Sequence, residues 1–314
     1  MAILNSLEVC LESGFIYAIL AIGYYITFTI LDFPDLSVEG TVLSGGVVFA
    51  VLAEMGWNPY LSMIIAFIVG CVAGSITGIL HVKLGIRPLL CGILVSTGLI
   101  TINLVAAVVG NGGSFSGDGA LSNVTIARTS PAVYRAVPFK WLPETVGQIN
   151  LRKLVAFFVM ALIVKLLVDA YLKTKSGLLL FATGNNSQFT TMLAKDPGSS
   201  KILGLALGNG LAALSGALIA QSRGNANQGM GVGMIVIGLA SVIIGLSLFR
   251  KVRFMKPTTM VILGSIIYQA CLSIASLIGV PSAYNKLIMA LLFTVALILS
   301  GKLNTKKSGG VTGD

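Results

Sequence analysis

Long apolar runs alternate with short polar stretches along the whole chain. A membrane-spanning helix needs roughly 20 predominantly apolar residues, and nine runs approach or exceed that length. They cover residues 14–31, 41–56, 59–81, 88–109, 151–172, 202–221, 232–249, 257–280 and 285–301. This pattern predicts an all-α, polytopic membrane helical bundle of about nine spans, in which residues 1–314 form a single transmembrane domain.

The composition agrees with a membrane protein and excludes a soluble one. Hydrophobic residues make up 55% of the chain and charged residues only 10%, and the mean hydropathy is +0.93. A soluble domain carries about 25% charged residues, so this chain lacks a surface suited to water. We therefore expect it in the cell (plasma) membrane, in contact with lipid. The opening MAILNSLEVCLESGF lacks the basic region of a secretory signal, which predicts that the first apolar run is retained.

The distribution of Lys and Arg predicts the orientation, because cytoplasmic loops of membrane proteins carry an excess of basic residues. With the tail 302–314 in the cytoplasm and nine spans, the N-terminus lies outside and 13 of the 21 basic residues fall on the inner side. The same arrangement makes 110–150 an extracellular loop and 182–201 a cytoplasmic segment. The net charge of +10 thus reflects topology, and no nucleic-acid partner is expected.

Glycines recur at four-residue steps in two of the apolar runs. Gly70, Gly74 and Gly78 share one face of a predicted helix, and Gly204 and Gly208 share one face of another. Small residues at this spacing let the backbones of neighbouring membrane helices approach closely. These five glycines are therefore predicted to lie at packing interfaces, either in a compact multi-helix core or between subunits.

Three uncharged amides lie inside or at the end of apolar runs, at Asn103, Asn209 and Gln221. Polar groups inside a membrane are costly, so they either bond to a neighbouring helix or line a passage for solute. Asn209 has a glycine on each side, where the wall of a cavity would fit. Both interpretations stay open, and all three amides are candidate passage-lining residues.

The segment DFPDLSVEGT, at 32–41, places three acids and a proline between the first two apolar runs. A proline breaks a helix, and Asp35 or Ser37 would then cap the next one, with Glu39 in its first turn. Broken helices whose ends point into the bilayer recur at transport sites, whereas a plain inner loop with a good cap would have the same sequence. The segment predicts one broken helix and makes Asp35, Ser37 and Glu39 candidate passage-lining residues.

The most polar compact segment between two apolar runs reads ATGNNSQFTTMLAKDPGSSK, at 182–201. Within it Phe189, Met192 and Leu193 fall at i, i+3 and i+4, which forms one apolar face on a short helix. The Pro-Gly pair that follows would end this helix. Such a helix suits a groove on a cytoplasmic partner, or alternatively it lies on the lipid headgroups.

Signatures of catalysis are missing from the sequence. It contains no G-x-x-x-x-G-K-[ST] phosphate-binding loop and no Ser/His/Asp constellation. It has one histidine, His81, and its four cysteines are scattered through apolar runs without a C-x-x-C pair. We therefore expect that the chain is not an enzyme, has no metal site and binds no cofactor of its own.

Two stretches carry a family resemblance. The first reads GFIYAILAIGYYITFTILDFPDLSVEGTVLSGG, and the second joins ATGNNSQFTTML to KILGLALGNGLAALSGALIAQSRGNANQGMGVGMIVIGLASVIIG. They resemble permeases of ATP-binding cassette (ABC) importers in the branched-chain amino-acid and ribose family, and within it the tryptophan/tyrosine transport permeases most of all. The resemblance extends from residue 14 to about residue 300, and 182–245 is its most specific part.

The resemblance implies that the polar segment is a coupling helix, which docks on an ATPase subunit. This role falls on Asn185, Asn186, Phe189, Met192, Leu193 and Lys195. Relatives continue with a small-residue stretch of the type A-x-x-x-G-I-N, where this chain has LAKDPGSS. This departure leaves the individual docking contacts open.

The resemblance also implies an assembly. Two copies of the permease would form the passage, two ATPase subunits would bind ATP and Mg²⁺, and an extracellular solute-binding lipoprotein would deliver the solute. The solute would be small, with an aromatic amino acid first and a branched-chain one next. The alternative is an ion-coupled secondary transporter, for which the chain offers only Asp35 and Glu39 as ionisable candidates deep in the membrane.

Overall fold

Apolar helices account for most of the chain in the computed structural model. The structure describes residues 2–110, 123–127, 130–137, 139–141, 143, 145, 150–185, 191, 196–250, 252, 254–279 and 284–308. These residues form ten α-helices: α1 Ala2–Tyr24, α2 Val38–Glu54, α3 Pro59–Val82, α4 Pro88–Gly110, α5 Leu151–Leu172, α6 Lys175–Asn185, α7 Pro197–Arg223, α8 Met234–Leu248, α9 Pro257–Leu277 and α10 Asn285–Ser308. The predicted all-α, polytopic membrane bundle is confirmed.

The predicted count of nine spans is approximate. Seven helical stretches of the described chain are long and apolar enough to cross a membrane, and they include α1, α3, α4, α5, α7, α8 and α9. Helix α2 has 17 residues, and the apolar part of α10 covers Leu287–Ile298. These two helices are short for a bilayer crossing, since about 20 residues are needed.

Helices α1 and α7 form the centre of the bundle. In each of them 78% of the most apolar stretch is buried, against 22% in α4. Helix α7 packs on α1, α2 and α3, and α9 packs on α1 and α8. Helix α4 therefore exposes most of its apolar surface, as expected for a helix that faces lipid.

The glycines of α3 bring that helix close to α7. Gly70, Gly74 and Gly78 all face α7, and a Cβ atom at Gly74 would collide with the carbonyl oxygen of Leu205. Only a residue without a side chain allows this approach, which resembles small-residue packing in other membrane helices. The stripe lies between α3 and α7.

Gly204 and Gly208 of α7, the two glycines singled out in the sequence, face the end of α1 and the segment after it. A Cβ atom at Gly208 would collide with Thr27, and one at Gly204 would collide with Leu31. Thr27 belongs to a π-helical turn, Tyr25–Ile30, that continues α1. The close contact between α1 and α7 in the centre of the bundle therefore depends on both residues.

One end of the bundle carries two short strands, and we call it the strand end. Strand β1, Asn123–Thr125, pairs antiparallel with β2, Asn225–Asn227. The carboxylate of Glu54, the last residue of α2, accepts from the backbone N–H of Ala127 at 2.7 Å and from the Ser130 hydroxyl at 2.9 Å. Single 3₁₀ turns, Val133–Arg135 and Phe139–Trp141, complete the described part of the connection between α4 and α5.

We call the opposite end the basic end, because loops rich in Lys and Arg meet there. The end of α3 reaches the start of α7, where Val82 lies against Gly198. The end of α5 reaches the start of α9 through an ion pair of 3.0 Å between Asp169 and Lys256. The start of α7, which follows the predicted coupling segment in the sequence, belongs to this end.

The predicted break after α1 is confirmed. The π-helical turn ends at Ile30, residues 31–37 are not helical, and Asp32 adopts a left-handed backbone conformation with φ of 52°. Helix α2 then begins at Val38. The proline of this segment lacks the N–H that a continuing helix would need, so the chain restarts rather than bends.

Two features near residue 185 add to the sequence interpretation. Helix α6 is a separate helix that the sequence analysis did not identify. The Pro-Gly pair begins α7, earlier than the predicted span at 202: Asp196 is its N-cap and accepts from the backbone N–H groups of Gly198 and Ser199. Proline fits the first position of a helix as well as the position after one. The end of the predicted coupling helix, before this pair, lies outside the described residues.

Candidate functional site

Four buried polar side chains join the start of α2 to the middle of α7, and we call them the Asp35 cluster: Asp35, Ser37, Thr41 and Asn209. The amide nitrogen of Asn209 donates to Asp35 Oδ2 at 2.6 Å, and the hydroxyl of Ser37 donates to Asp35 Oδ1 at 2.6 Å. Thr41 Oγ1 donates to Asn209 Oδ1 at 2.8 Å. The structure thus brings together Asp35, Ser37 and Asn209 across 172 to 174 residues of sequence.

The Asp35 carboxyl group is the centre of the cluster and is only 2% exposed. It also accepts from the backbone N–H of Ser37, at 2.8 Å, just before α2 begins. Ser37 is the N-cap residue of α2, and its own side chain makes no capping bond. The Asp35 carboxyl group therefore fixes the turn that precedes α2 and fastens it to α7.

Glu39 links the start of α2 to the start of α8. Its Oε1 accepts from the backbone N–H of Gly233, at 2.9 Å, one residue before α8. A Cβ atom at Gly231 would collide with the Glu39 carbonyl, so the two backbones touch. Two helix N-termini therefore meet beside α7, and an acid of this chain binds the backbone at each of them. Glu39 and Asp35 thus both lie at contacts between elements of the bundle.

The other two candidate passage-lining residues lie apart from the cluster. Asn103 Nδ2 donates to the Gly40 carbonyl at 3.2 Å and so joins α4 to α2, one turn beyond Ser37. Gln221 lies at the strand end, where its Oε1 accepts from the backbone N–H of Val133 at 2.9 Å. Asn103 acts between helices, and Gln221 fixes the connection between α4 and α5.

Most of the predicted coupling residues fall outside the described part of the chain. Asn185 is the last residue of α6 and is exposed, whereas Asn186, Phe189, Met192, Leu193 and Lys195 lie outside the described residues. On the far side of the segment, hydrogen bonds from the Ser199 hydroxyl and from the backbone N–H groups of Gly198 and Ser199 lower the pKa of Asp196. Asp196 therefore keeps its negative charge as the cap of α7.

Sequence reasoning missed two contributors to these contacts. Thr41 lies four residues after Ser37 on the same face of α2, a spacing visible in the sequence. Asp169 lies 3.4 Å from Lys165, one turn earlier on α5, and it also accepts from Thr258 at 2.5 Å and pairs with Lys256. Asp169 thereby joins α5 to α9, a contact that needs the tertiary structure.

Metal binding finds no support in the described part of the chain. No group of three or more His, Cys, Asp or Glu side chains lies close enough there to hold an ion. The four cysteines form no disulfide and lie on separate helices, α1, α3, α4 and α9. The polar contacts of the Asp35 cluster, Glu39 and Asp169 join helices to one another, and they are suited to moving those helices together.

Comparison with known proteins gives a consistent result. Residues 6–297 match the protein family described as "Branched-chain amino acid transport system / permease component". The chain is 40% identical to a tyrosine transport system permease protein of Clostridioides difficile (strain R20291), over 94% of this chain and 90% of that protein. It is 30% identical to the uncharacterized protein RP368 of Rickettsia prowazekii (strain Madrid E), over 94% of this chain and 97% of that protein.

A more distant relative transports a sugar. The chain is 25% identical to the fructose import permease protein FruG of Bifidobacterium longum (strain NCC 2705), over 84% of this chain and 74% of that protein. No solved structure matches the chain. The similarity therefore covers almost the whole chain and comes from sequence comparison alone.

Proposed function

Because the chain belongs to the family of branched-chain amino acid transport system permease components, we propose that it is the membrane-spanning subunit of an ABC importer for an amino acid, with tyrosine as the first candidate. The observation that carries this proposal is the 40% identity to a tyrosine transport system permease over nearly the full length of both proteins. The fructose permease is more distant, at 25%, so an amino acid is favoured over a sugar.

In the proposed assembly two copies of the chain form the passage. Two ATPase subunits, which bind ATP and Mg²⁺, dock on the coupling segment at the basic end, on the cytoplasmic side. A solute-binding lipoprotein delivers the solute at the strand end, outside the cell. The chain itself supplies binding surfaces and moving helices, and ATP hydrolysis takes place in the partner subunits.

The contacts around α7 support a route for coupling. A displacement of 186–195 acts directly on the capped start of α7 at Asp196. Because Asn209 of the same helix binds Asp35 at 2.6 Å, a shift of α7 also moves the start of α2. Glu39 passes the movement on to the start of α8 through its 2.9 Å bond to Gly233. In this mechanism the central helix moves three helix starts together.

The alternative, an ion-coupled secondary transporter, requires an ionisable group that is free to bind the coupling ion. Both candidates predicted for that role, Asp35 and Glu39, accept hydrogen bonds from helix starts. An ion at either position would compete with those bonds. The alternative predicts uptake by the chain alone in an ion gradient, without an ATPase. This uptake can be measured in vesicles that contain only the permease.

The coupling role is tested by co-expressing the chain with its ATPase subunit. The triple variant Phe189→Ala, Met192→Ala, Leu193→Ala removes the apolar face of the segment, and we expect at least a tenfold loss of ATPase co-purification. The variant Leu84→Ala is the matched control, because Leu84 is an exposed apolar residue in another loop of the basic end. Equal ATPase recovery with the triple variant and with the control would contradict the proposed coupling role.

Transport is tested in vesicles that contain the permease, the ATPase and the binding protein. We expect uptake of L-tyrosine that requires ATP inside the cytoplasmic compartment and the binding protein outside. Deletion of 186–195 should abolish this uptake. Uptake that persists without ATP, driven by an ion gradient, would favour the secondary transporter instead.

A further inference from the structure

A second polar site lies at the strand end, apart from every residue singled out in the sequence. The ends of α1, α7, α8, α9 and α10 surround a cavity of about 410 Å³, within the range of about 300–1,000 Å³ that small-molecule sites occupy. Its polar lining consists of Ser6, Ser13, Tyr17, Arg223, Gln269, Ser273 and Ser276. Its apolar lining includes Ile237, Leu272 and Met289. We call it the Arg223 cavity.

Gln269 gives the clearest sign of a missing partner. Its side chain is only 7% exposed, and its amide nitrogen has no hydrogen-bond partner among the described residues. Buried N–H donors are nearly always bonded, because an unmade hydrogen bond in the interior costs free energy. Gln269 lines the cavity, and its nitrogen is buried behind that wall. A rotation of the side chain would therefore offer the donor to an acceptor held in the cavity.

Arg223 supplies the positive charge of the cavity. Its Nη2 donates to the hydroxyl of Tyr17 at 3.1 Å, which uses one of the five N–H donors of an arginine. Within the described part of the chain, no carboxylate forms an ion pair with Arg223. The acid Glu8 of α1 instead accepts from Asn150 at 2.8 Å. A guanidinium that has N–H donors left over and forms no ion pair within the described chain matches the two oxygens of a carboxylate ligand.

The walls of the cavity are of two kinds. On α9 the residues Gln269, Ser273 and Ser276 are spaced three or four apart, and on α1 so are Ser13 and Tyr17, so each helix presents one polar face. Helices α8 and α10 contribute apolar side chains to the other wall. A small amphipathic molecule with one charged end suits such a space.

We propose that the Arg223 cavity binds the carboxylate of an amino acid during its passage through the permease. Arg223, held in place by Tyr17, pairs with the carboxylate. Gln269 donates an N–H to the same molecule, and the apolar wall holds its side chain. The inference rests on the proposed function, since it takes an amino acid as the solute and the strand end as the side where it arrives.

Binding of two probes to the purified permease in lipid nanodiscs tests the proposal. L-tyrosine carries the carboxylate, whereas L-tyrosinamide has the same ring and lacks the negative charge. We expect saturable binding of L-tyrosine to the wild type, and at least a tenfold loss of affinity in Arg223→Gln. L-tyrosinamide should bind both proteins with affinities within twofold of each other. Tyr17→Phe, which removes one bond to Arg223, should weaken L-tyrosine binding by a smaller factor.

Lys153→Gln is the matched control, because it removes one positive charge at the same end without touching the cavity. Lys153 donates to the backbone carbonyl of Ser222, at 3.2 Å, and we expect L-tyrosine to bind this variant as it binds the wild type. Equal L-tyrosine affinity in Arg223→Gln and wild type would overturn the proposal, as would a wild type that shows no saturable binding.

Uptake measurements separate this inference from the proposed function. In the complete complex, Arg223→Gln should raise the KM for L-tyrosine at least tenfold more than Lys153→Gln does. Normal uptake by Arg223→Gln would reject the cavity as a solute site and leave the importer intact. Absence of ATP-driven uptake by the wild-type complex would reject the proposed function, while nanodisc binding would still report on the cavity.

Discussion

The Asp35 cluster and the Arg223 cavity are both polar regions inside an apolar bundle, yet they use their hydrogen-bonding groups differently. In the cluster, both oxygens of Asp35 accept bonds, and both ends of the Asn209 amide are bonded. In the cavity, the amide nitrogen of Gln269 has no partner within the described chain. The cluster is closed and holds helices together, whereas the cavity keeps a donor and a positive charge available to a ligand.

Residue type alone does not make this distinction. Asn209 and Gln269 are both amides on long apolar helices, and both are buried, at 0% and 7% exposure. They differ in their neighbours: Asn209 meets the carboxylate of Asp35, and Gln269 faces an open space of about 410 Å³. In a membrane bundle, the hydrogen bonds that a buried polar group makes therefore say more about its role than its identity does.

The largest expected effect concerns labelling from outside the cell, which shows whether the strand end or the coupling segment lies on the outer side of the membrane. In a variant without Cys10, Cys71, Cys91 and Cys271, a cysteine replaces either Phe189 or Met55. Met55 is 60% exposed in the turn after α2, at the strand end. We expect a membrane-impermeant maleimide added to intact cells to label Met55→Cys fully and Phe189→Cys not at all. The reverse result would place the Arg223 cavity on the cytoplasmic side and contradict the proposed direction of transport.

The next largest effect, on the free energy of unfolding, is expected from removing a hydrogen bond of the Asp35 cluster. Asn209→Ala removes the donor to Asp35 Oδ2 and leaves a buried carboxylate short of one bond. We expect a loss of about 3 kcal/mol in the free energy of unfolding, since a charge-assisted bond is lost and the remaining group stays buried. The measurement is equilibrium unfolding of the purified permease in mixed micelles. Asn103→Ala, which removes a single bond to a backbone carbonyl, is the control and should cost about 1 kcal/mol.

A somewhat smaller loss of stability is expected from a substitution on α3 that displaces Asn209 but leaves the four residues of the Asp35 cluster unchanged. A methyl group at Gly74 would collide with the Leu205 carbonyl and approach the Cβ atom of Asn209 to 2.8 Å. We expect Gly74→Ala to lower the free energy of unfolding by about 2 kcal/mol, as overpacking does in other cores. Gly98→Ala is the control, because a Cβ atom there meets no described atom within 4 Å. Equal stability of the two variants would show that α3 and α7 can separate without cost.

The fold was largely predictable because apolar length determines where helices cross a membrane. The run 59–81 became Pro59–Val82, and 151–172 became Leu151–Leu172. Helix α6 was missed because Lys175–Asn185 mixes polar and apolar residues and is too short to span. The start of α7 at Pro197 was missed because proline occurs both after a helix and at the first position of one.

The sites were predictable only in part, because they depend on contacts between distant segments. Asp35, Ser37 and Asn209 stood out as polar residues in apolar surroundings, but their meeting depends on how α2 packs on α7. Arg223 did not stand out in the sequence, since its partner Tyr17 is 206 residues away. Hydropathy and spacing contain no information on such contacts.

The smallest expected change in stability concerns Gln269, and it distinguishes the two regions most sharply. Gln269→Leu removes a buried N–H that has no partner in the described chain and keeps a similar volume. We expect the free energy of unfolding to stay the same or to rise by up to about 1 kcal/mol, because the substitution removes a buried donor whose hydrogen bond is not made, while the affinity of the nanodisc-embedded permease for L-tyrosine falls several-fold. Asn209→Leu is the matched amide control and should destabilise the protein strongly. If Gln269→Leu were as destabilising as Asn209→Leu, Gln269 would belong with the residues that hold helices together, and the contrast between cluster and cavity would be lost.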